Sequence, residues 1–300
     1  MELRTLRYFL ALAQEGTVSN AAKALHVTQP TLSRQLADLE RSFGKQLFER
    51  GSKRIALTDE GVRLREYAKA IVELADKAEA ELSQPERAVS GDVYIGCGET
   101  DALRIVLRAA KRLRATYPDV RFHLASGTTA DLVDRFHDGR FDFLLECEFV
   151  QRPDCESLRL PALDRWGVLM RKDDPLAAND VVRVDDLADR ALITSRQATK
   201  TGKLREWAGD AADAWNVVAT YNLPFSGALM VEEGVGVAVC YDRLVRLSEE
   251  GIMCFRPLDP PLASEMGLIW KKHRRLSRPA TAFLEALQEE CEEGEKDTSQ

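Results

Sequence analysis

The stretch VTQPTLSRQLADLE, residues 27–40, constrains the fold most strongly because it predicts a helix with two different faces. Thr28 can cap this helix, and Pro30 is tolerated in the first turn, where amides have no intrahelical partner. A buried face is predicted by apolar side chains at helical spacing: Leu32, Leu36, Leu39 and Phe43. The opposite face then carries short hydrogen-bonding groups and one guanidinium: Gln29, Thr31, Ser33 and Arg34.

Two shorter apolar repeats precede this helix and predict a small helical bundle. The first helix spans residues 3–14 and ends at Gly16, with the expected inner face Leu6, Phe9, Leu10 and Ala13. The second is capped by Thr17 or Ser19, with the expected inner face Val18, Ala21, Ala22 and Leu25. Two helices joined by a tight turn at residues 26–27 form a helix-turn-helix, whose second helix fits the major groove of DNA. A capped surface helix with solvated polar side chains is the competing interpretation.

The segment QLFERGSKRIALT, residues 46–58, favours the DNA-binding interpretation. Two apolar runs flank a turn at residues 51–53, which predicts a β-hairpin wing tipped by Arg50, Lys53 and Arg54. Long cations on a thin hairpin suit a phosphate backbone or a minor groove. Residues 1–65 contain eleven Lys and Arg against seven Asp and Glu, a formal charge of +4, while the remainder carries −11. This asymmetry is typical of a polyanion-binding module joined to an acidic, soluble domain.

The order of these pieces resembles the N-terminal winged helix-turn-helix of the LysR-type transcriptional regulators. The residues that carry the resemblance are LRYFLALAQEGTVSNAAKALHVTQPTLSRQLADLERSFGKQLFERGSKRIALTDEG, residues 6–61. The resemblance implies that four side chains read or grip the major groove: Gln29, Thr31, Ser33 and Arg34. It implies that the wing holds the flanking backbone through Arg50, Lys53 and Arg54. It also implies a linker helix that forms dimers, often tetramers, and a two-lobed effector domain.

A long helix is expected after the wing, because Thr58, Asp59 and Glu60 cap and charge its start and Pro85 prevents its continuation beyond Ser83. Spacings of four and three residues along it predict a two-helix seam: Leu64, Ala68, Ile71, Ala75, Ala78 and Leu82. A second subunit is expected to cover this stripe, which would pair two DNA-reading modules. Burial of the stripe against the protein's own body is the alternative.

From residue 91 the pattern alternates between strands and helices, which predicts parallel sheets with crossover helices. The series from DVYIGCG to FDFLLEC predicts one lobe, the series from RWGVLMR to VGVAVCY predicts a second, and SEMGLIWKKH is expected to return to the first. The predicted fold is an N-terminal all-α winged helix-turn-helix plus a long linker helix, followed by a C-terminal α/β domain of two lobes. The resemblance implies that this C-terminal part is a periplasmic-binding-protein-like effector domain. The expected boundaries are 1–58, 59–90 for the linker helix and hinge, and 91–300, with lobe I about 91–162 and 266–300 and lobe II about 163–265.

Four strand-to-helix loops are expected to meet at a cleft, because ligands bind beyond the carboxyl ends of parallel strands. The loops are residues 97–100, 126–129, 195–199 and 222–226. The candidate effector-binding side chains are Glu99, Thr100, Thr128, Thr129, Glu146, Ser195, Arg196, Asn222 and Ser226. Helix-start amides with these hydroxyls suit a carboxylate or phosphate, although each hydroxyl is equally well explained as a helix cap. Glu99 and Glu146 would repel an anion, so either Arg196 offsets one of them, or a cationic or zwitterionic effector such as an amino acid or an amine is preferred.

Other functions lack a supporting pattern. GCGETD, residues 96–101, mimics the start of a dinucleotide fingerprint, but Asp101 replaces its third glycine and Glu99 would oppose a pyrophosphate. The four histidines are scattered, G-x-S-x-G is absent, and the six cysteines contain no C-x-x-C, so no enzyme, cofactor or metal is predicted. The thiols are expected to be reduced and structural, with a switch between Cys147 and Cys155 as the alternative.

The expected location and partners follow from the same sequence. No run of about 18 apolar residues occurs, and MELRTLRYFLALAQEG predicts an amphipathic helix rather than a signal peptide. An exported solute-binding protein would carry a signal and lack the DNA-binding module. The chain is therefore expected to be a cytoplasmic, ligand-responsive transcription regulator. Its expected partners are double-stranded DNA, a small-molecule effector and further copies of itself, as a homodimer or homotetramer.

Overall fold

The computed structural model describes residues 1–50, 55–82, 89–196, 198 and 202–298. The chain divides into two compact units, Met1–Pro85 and Glu86–Gln300, here called the head and the body. The head contains one hydrophobic core, and the body contains separate cores in its two lobes.

The head contains the predicted helices and the predicted wing. Its elements are α1 Leu3–Glu15, α2 Val18–Ala24, α3 Gln29–Phe43, β1 Phe48–Arg50, β2 Ile55–Leu57 and α4 Asp59–Leu82. Thr17, and not Ser19, caps α2, because its hydroxyl accepts a hydrogen bond from the Asn20 N–H at 3.2 Å. Gly16 and Gly44 end α1 and α3 with φ of 68° and 61°, a conformation that favours glycine.

The core of the head lies where α1, α2 and α3 meet. Its buried side chains include Leu6, Phe9, Leu12, Ala21, Leu32, Leu36, Leu39 and Phe48. The predicted inner face of α1 is confirmed for Leu6, Phe9 and Leu10, which contact this core. It is wrong for Ala13, which is only half-buried, and it missed the buried Leu12. The prediction for Phe43 is also wrong. Phe43 is the last residue of α3 and is 45% exposed, because the chain turns at Gly44, and Phe48 of β1 enters the core instead.

The junction between the wing and α4 is fixed by backbone contacts. The hydroxyl of Thr58 accepts a hydrogen bond from the Gly61 N–H at 3.1 Å, which caps α4. A Cβ atom at Gly61 would lie 1.9 Å from the carbonyl oxygen of Leu47, so only glycine fits this approach. The start of α4 is therefore held firmly against the base of the wing.

The first half of α4 packs against α1 inside the head, which corrects the predicted dimer seam. Ala68 is completely buried and Leu64 packs against the same core, so neither side chain is available to a second subunit. Arg7 of α1 also forms an ion pair with Asp76 of α4. The apolar side chains that α4 exposes include Tyr67, Ile71, Leu74, Ala78 and Leu82, while Ala75 is half-buried. The helix thus carries two apolar stripes, and the prediction merged residues from both.

The first lobe of the body is a parallel α/β unit. Its elements are β3 Gly91–Cys97, α5 Leu103–Thr116, β4 Val120–Ser126, α6 Thr129–His137 and β5 Phe143–Cys147. Strand β3 lies between β4 and β5 and is parallel to both. Val93, Ile95 and Phe143 are completely buried, as expected for strands covered on both faces.

The second lobe repeats this arrangement. Its elements are β7 Leu192–Ser195, α7 Lys203–Ala208, α8 Ala211–Ala214, β8 Val217–Tyr221, α9 Pro224–Glu232 and β9 Val237–Tyr241. Strand β7 pairs in parallel with both β8 and β9. Short 3₁₀ helices at Pro175–Ala178 and Val184–Leu187 cover part of its core.

The two lobes share a long strand, β6 Cys155–Arg171. Residues 155–165 pair with β11 Ala263–Lys271, and residues 166–169 pair with β9, so β6 runs through the predicted lobe boundary at 162 and 163. Strand β11 also pairs with β5, which is the predicted return to the first lobe. The remaining elements are β10 Met253–Pro257, which pairs with β6 and was not predicted, and α10 Arg278–Thr298, which packs on α5.

Candidate nucleic-acid interface and interlobe cavity

The face of α3 opposite its leucines is open to solvent. Gln29, Thr31 and Arg34 are exposed, and Ser33 is half-buried. The Arg34 guanidinium forms no ion pair with any described residue. An amide and an unpaired guanidinium are the groups that pair with adenine and guanine edges in the major groove.

The start of α3 is electrostatically suited to a phosphate. Its first turn contains no acidic residue, so the positive end of the helix dipole is not neutralised there. The Thr28 hydroxyl accepts a hydrogen bond from the Thr31 N–H at 3.4 Å and lies 2.8 Å from the Thr31 hydroxyl. Thr31 is therefore held beside the cap, where a hydroxyl can meet a phosphate oxygen.

The predicted wing contacts fall partly outside the described residues. Arg50 is the last residue of β1 and lies opposite Ile55 in the hairpin register. Lys53 and Arg54 lie outside the described residues. The roles of these three cations in DNA binding stay predictions.

A cavity of about 570 Å³ opens between the two lobes of the body. It lies beyond the carboxyl ends of the parallel strands, since its lining includes residues at or just after the ends of β3, β4, β5, β7, β8 and β9. Loops that follow such strands commonly hold ligands, and this volume suits a small organic molecule. The cavity is the candidate ligand site of the body.

Four of the predicted effector-binding residues line this cavity: Glu99, Glu146, Ser195 and Asn222. Four others do not line it: Thr100, Thr128, Arg196 and Ser226. The side chain of Thr129 lies outside the described part of the chain. The hydroxyls of Thr100 and Thr128 instead accept backbone hydrogen bonds from Ala102 and Asp131, at 3.0 and 3.3 Å. These two threonines are helix and turn caps, as the competing interpretation of the hydroxyls has it.

The remaining residues of that group have simpler positions. Thr129 is the first residue of α6, and Ser226 is exposed in the first turn of α9. Arg196 is exposed, and its backbone N–H donates to the carbonyl of Tyr221 at 3.2 Å. The Arg196 guanidinium forms no ion pair with a described residue, so the structure does not support its predicted role of offsetting Glu99 or Glu146.

The charge offset that Arg196 was expected to provide comes from Arg152. Arg152 Nη2 donates to Glu146 Oε1 at 2.5 Å, and the Glu146 side chain is only 5% exposed. Glu148 also lines the cavity and adopts a positive φ of 65°. Burial raises the pKa of the Glu148 carboxyl, against the opposing effect of the Lys203 N–H, which donates to its Oε2 at 3.4 Å.

Several cavity residues were missed by sequence reasoning. They are Cys147, Glu148, Arg152, Trp166, Tyr221, Cys240 and Tyr241. Five of them stand at or beside the carboxyl end of a predicted strand, which is a signal that could have found them. Trp166 and Arg152 gave no such signal, because one lies within β6 and the other lies in the turn before it.

The aromatic and thiol groups of the cavity are neutral. Trp166 and Tyr241 form a tilted pair with ring centroids 4.3 Å apart, and the Trp166 indole donates to the Ser264 hydroxyl at 3.0 Å. Burial raises the pKa of both Tyr221 and Tyr241. Burial likewise raises the pKa of Cys147, and that of Cys240 to about 12. All six cysteines are free thiols, including the pair Cys147 and Cys155 considered as a switch.

The glycines of GCGETD have packing roles. A Cβ atom at Gly96 would lie 2.8 Å from the Phe141 ring, and one at Gly98 would lie 2.6 Å from Cys147 Sγ. Helix α5 starts only at Leu103, after the segment is complete. Gly96 allows close packing within β3 and Gly98 allows it in the following loop, and they do not form a dinucleotide-binding turn.

Two other kinds of feature are absent from the described part of the chain. There, no group of three or more His, Cys, Asp or Glu side chains is arranged to hold a metal ion. None of the helices there combines the length and the apolar character needed to cross a membrane.

The two units together define a class of protein: a winged helix-turn-helix joined to a two-lobed α/β ligand-binding domain. Residues 3–62 match the family model described as a bacterial regulatory helix-turn-helix protein of the lysR family, and residues 86–292 match the LysR substrate binding domain. The chain belongs to the LysR family of transcriptional regulators. It is therefore a ligand-responsive, DNA-binding regulator.

Curated relatives and solved structures agree with this assignment over nearly the whole chain. The transcriptional activator IlvY of Salmonella typhimurium is 33% identical over 295 residues, covering 96% of this chain and 99% of IlvY. The SDS degradation transcriptional activation protein of a Pseudomonas species is 29% identical, covering 94% of each chain. The LysR family regulator CbnR has a similar fold, with a TM-score of 0.75 and 20% identity, covering 97% of this chain and 99% of CbnR. A structure of CbnR bound to its target DNA matches with a TM-score of 0.74.

Proposed function

We propose that α3 reads base edges in the major groove through Gln29, Thr31, Ser33 and Arg34, while the wing grips the flanking backbone through Arg50, Lys53 and Arg54. The observation that carries this proposal is the division of α3 into two faces. Leu32, Leu36 and Leu39 are each 3% exposed or less, so they fix the helix against the head core. The polar face of the helix remains exposed to solvent. A rigidly held helix with free polar groups at its N-terminal end is the geometry of DNA-reading helices.

Charge and a structural neighbour support the same proposal. The first 65 residues are locally basic, although the whole chain has a formal charge of −7. CbnR, which has a similar fold, was crystallised as a complex with its target DNA. The acidic remainder of the chain would limit non-specific binding to nucleic acid and leave specificity to the head.

Pairing of two chains through α4 completes the proposed DNA-binding form. Tyr67, Ile71, Leu74, Ala78 and Leu82 follow one another at spacings of four, three, four and four residues and are exposed. A second α4 packed along this stripe would cover it and bring two heads together. When one head of a linked pair is bound to a half-site, the other head is held near the second half-site at a high effective concentration. The pair would therefore bind two half-sites more tightly than one head alone.

The body is proposed to bind a small-molecule effector in the interlobe cavity. Because residues from both lobes line the cavity, a ligand there can favour one arrangement of the lobes over another. That preference would alter how a dimer or tetramer sits on the promoter. We propose a cytoplasmic regulator of this kind, without a cofactor and without enzymatic activity.

The proposal is tested by selecting fragments of genomic DNA with the purified full chain. Bound fragments are then titrated with salt, using fluorescence anisotropy. We expect one class of fragments to bind at least about a thousandfold more tightly than random DNA. The logarithm of its affinity should fall linearly with the logarithm of the salt concentration. Binding of all fragments with equal affinity, or binding that salt does not weaken, would contradict a sequence-reading head.

A further inference from the structure

The interlobe cavity is rich in carboxylates. Glu99 follows β3, while Glu146 and Glu148 lie at and just beyond the end of β5. Arg152 is the only cationic side chain among the described residues that line the cavity. Among the described lining residues, carboxylates therefore outnumber cations by two.

The Arg152 guanidinium already forms an ion pair with a carboxylate of the protein. Arg152 Nη2 donates to Glu146 Oε1, and the pair is largely shielded from solvent. The Lys203 ammonium, which lies near Glu148, donates instead to the carbonyl of Ala263 at 3.1 Å. Neither Glu99 nor Glu148 has a salt bridge to a described residue. A ligand anion would therefore meet unpaired negative charge and compete with Glu146 for Arg152.

Glu146 also carries an acceptor that is not satisfied. Its Oε2 is buried and has no hydrogen-bond partner among the described residues. A buried carboxylate oxygen without a donor is costly, because it has lost its water and gained nothing in exchange. A ligand that brings a charged N–H donor into the cavity would remove this cost.

The helix starts that would favour an anion are already occupied by the protein. The hydroxyl of Thr128 accepts the Asp131 N–H at the start of α6, and the hydroxyl of Ser195 accepts the Ala198 N–H at 3.2 Å. Helix α9 begins with Pro224, which has no N–H to offer. Fewer backbone N–H groups are therefore available to a ligand than the presence of four loops suggests.

The rest of the lining suits the apolar part of an organic cation. Trp166, Tyr221 and Tyr241 supply aromatic surface, and Val133, Val150 and Leu244 supply aliphatic surface. Aromatic rings attract ammonium groups through their negative faces. The lining thus combines acceptors for an N–H-bearing cation with walls for a hydrophobic body.

We propose that the effector of this protein is an organic ammonium compound with an aromatic or aliphatic body, recognised by Glu146 and Glu99. This inference rests on the proposed function of the cavity as the effector site and deepens it by naming the ligand class. Glu146 Oε2 accepts from the ammonium N–H, and Glu99 adds a second negative group. A carboxylate of the same shape is rejected by the same side chains.

The experiment is isothermal titration calorimetry of the full chain with matched probes. The amines are 2-phenylethylamine and pentylamine, and the carboxylates with the same bodies are 3-phenylpropionate and hexanoate. We expect each amine to bind at least about tenfold more tightly than its carboxylate counterpart, because an unpaired charge in a buried site is strongly disfavoured. The probes are added up to about 10 mM, which is about ten times a Kd of 1 mM. Tighter binding of the carboxylates, or no binding of either amine at this concentration, would overturn the proposal.

Variants locate the binding to the cavity. Glu146→Gln keeps an acceptor for Arg152 but replaces the free oxygen with an N–H donor, so we expect amine affinity to fall at least about tenfold. Glu99→Gln gives a second test that leaves the Arg152 pair untouched, in case the first variant folds poorly. Glu289→Gln is the control, since Glu289 is 67% exposed and pairs with Arg112 outside the cavity. Equal amine affinity in both cavity variants and the control would overturn the proposal.

DNA footprints separate this inference from the proposed function on which it rests. Carboxylates that bind in the cavity and change the footprint would overturn the ammonium assignment while leaving a ligand-responsive regulator intact. Amines that bind through Glu146 and Glu99 without changing the footprint would support the ammonium assignment and count against the proposed response to this ligand.

Discussion

In the head, the candidate DNA-reading side chains lie within six consecutive residues of one helix, Gln29 to Arg34. In the body, the cavity is lined by residues that range from Gly98 to Leu244 and come from both lobes. The head therefore depends on how one helix is anchored, whereas the body depends on how two lobes meet. A change in the anchor should disable the head alone, and a change in the cavity should alter ligand choice without unfolding either unit.

The largest expected effect tests this separation directly. Leu36→Ala removes a side chain that is 1% exposed in the head core, and we expect the free energy of unfolding of the head to fall by about 2–5 kcal/mol. DNA binding should be lost, while ligand binding by the body stays unchanged. Differential scanning calorimetry measures the unfolding, fluorescence anisotropy measures DNA binding, and isothermal titration calorimetry measures ligand binding.

The matched control for this change is Leu268→Ala, which removes a completely buried leucine of the body. It should destabilise the body and spare the unfolding transition of the head. A single transition that shifts equally in both variants would show that the two units do not behave independently.

The second effect concerns the polar face of α3. Arg34→Ala should weaken binding to selected DNA by about 1–3 kcal/mol, with little effect on folding, because the side chain is exposed and is expected to contact a base. Arg41→Ala is the control on the same helix, since Arg41 is exposed and paired with Asp38. Equal discrimination between selected and random DNA in the two variants would rule out base reading by Arg34.

The third effect concerns the wing. Lys53→Ala should lower affinity for all DNA sequences and reduce the slope of log affinity against log salt by about 0.9, the value for one lost phosphate contact. Lys69→Ala on the exposed surface of α4 is the control. Identical salt slopes for these variants and the parent would argue against a phosphate contact by Lys53.

The smallest effect concerns the pH dependence of ligand binding. Burial raises the pKa of Glu148, and a bound cation would favour its ionised form, so affinity should increase as pH rises through that pKa. Lys203 favours and Glu206 opposes this ionisation in the free protein. For a primary alkylammonium probe, whose pKa of about 10 keeps it charged between pH 5 and 8, we expect a change of about fivefold, equivalent to about 1 kcal/mol. Titrations between pH 5 and 8 measure it, and Glu148→Gln should flatten the profile.

The contrast between the units also explains which features the sequence could predict. The faces of α3 follow from the spacing of Leu32, Leu36 and Leu39, because a helix converts spacing directly into direction. The prediction that Phe43 is buried failed because its burial depends on where the chain turns at Gly44. The spacing of apolar residues gives no information about that turn. The prediction of the dimer seam on α4 failed for a related reason. Residue spacing does not show whether Ala68 packs against the head core or against a second subunit.

In the body, the order of strands and helices was predictable but the lining of the cavity was only partly so. Glu99 and Glu146 were found because they lie just after and at the carboxyl ends of β3 and β5. Trp166 was missed because it lies inside β6, and only the pairing of β6 with β9 brings it to the cavity. Such positions depend on contacts between residues that are distant in the sequence.

The most direct test of the central claim is the structure of the full chain bound to a selected DNA fragment. We predict that α3 lies in the major groove, with side-chain atoms of Gln29 or Arg34 about 3 Å from base edges, and that Leu32, Leu36 and Leu39 stay in the head core. A complex in which α3 lies outside the groove, or in which another element makes the base contacts, would contradict the claim.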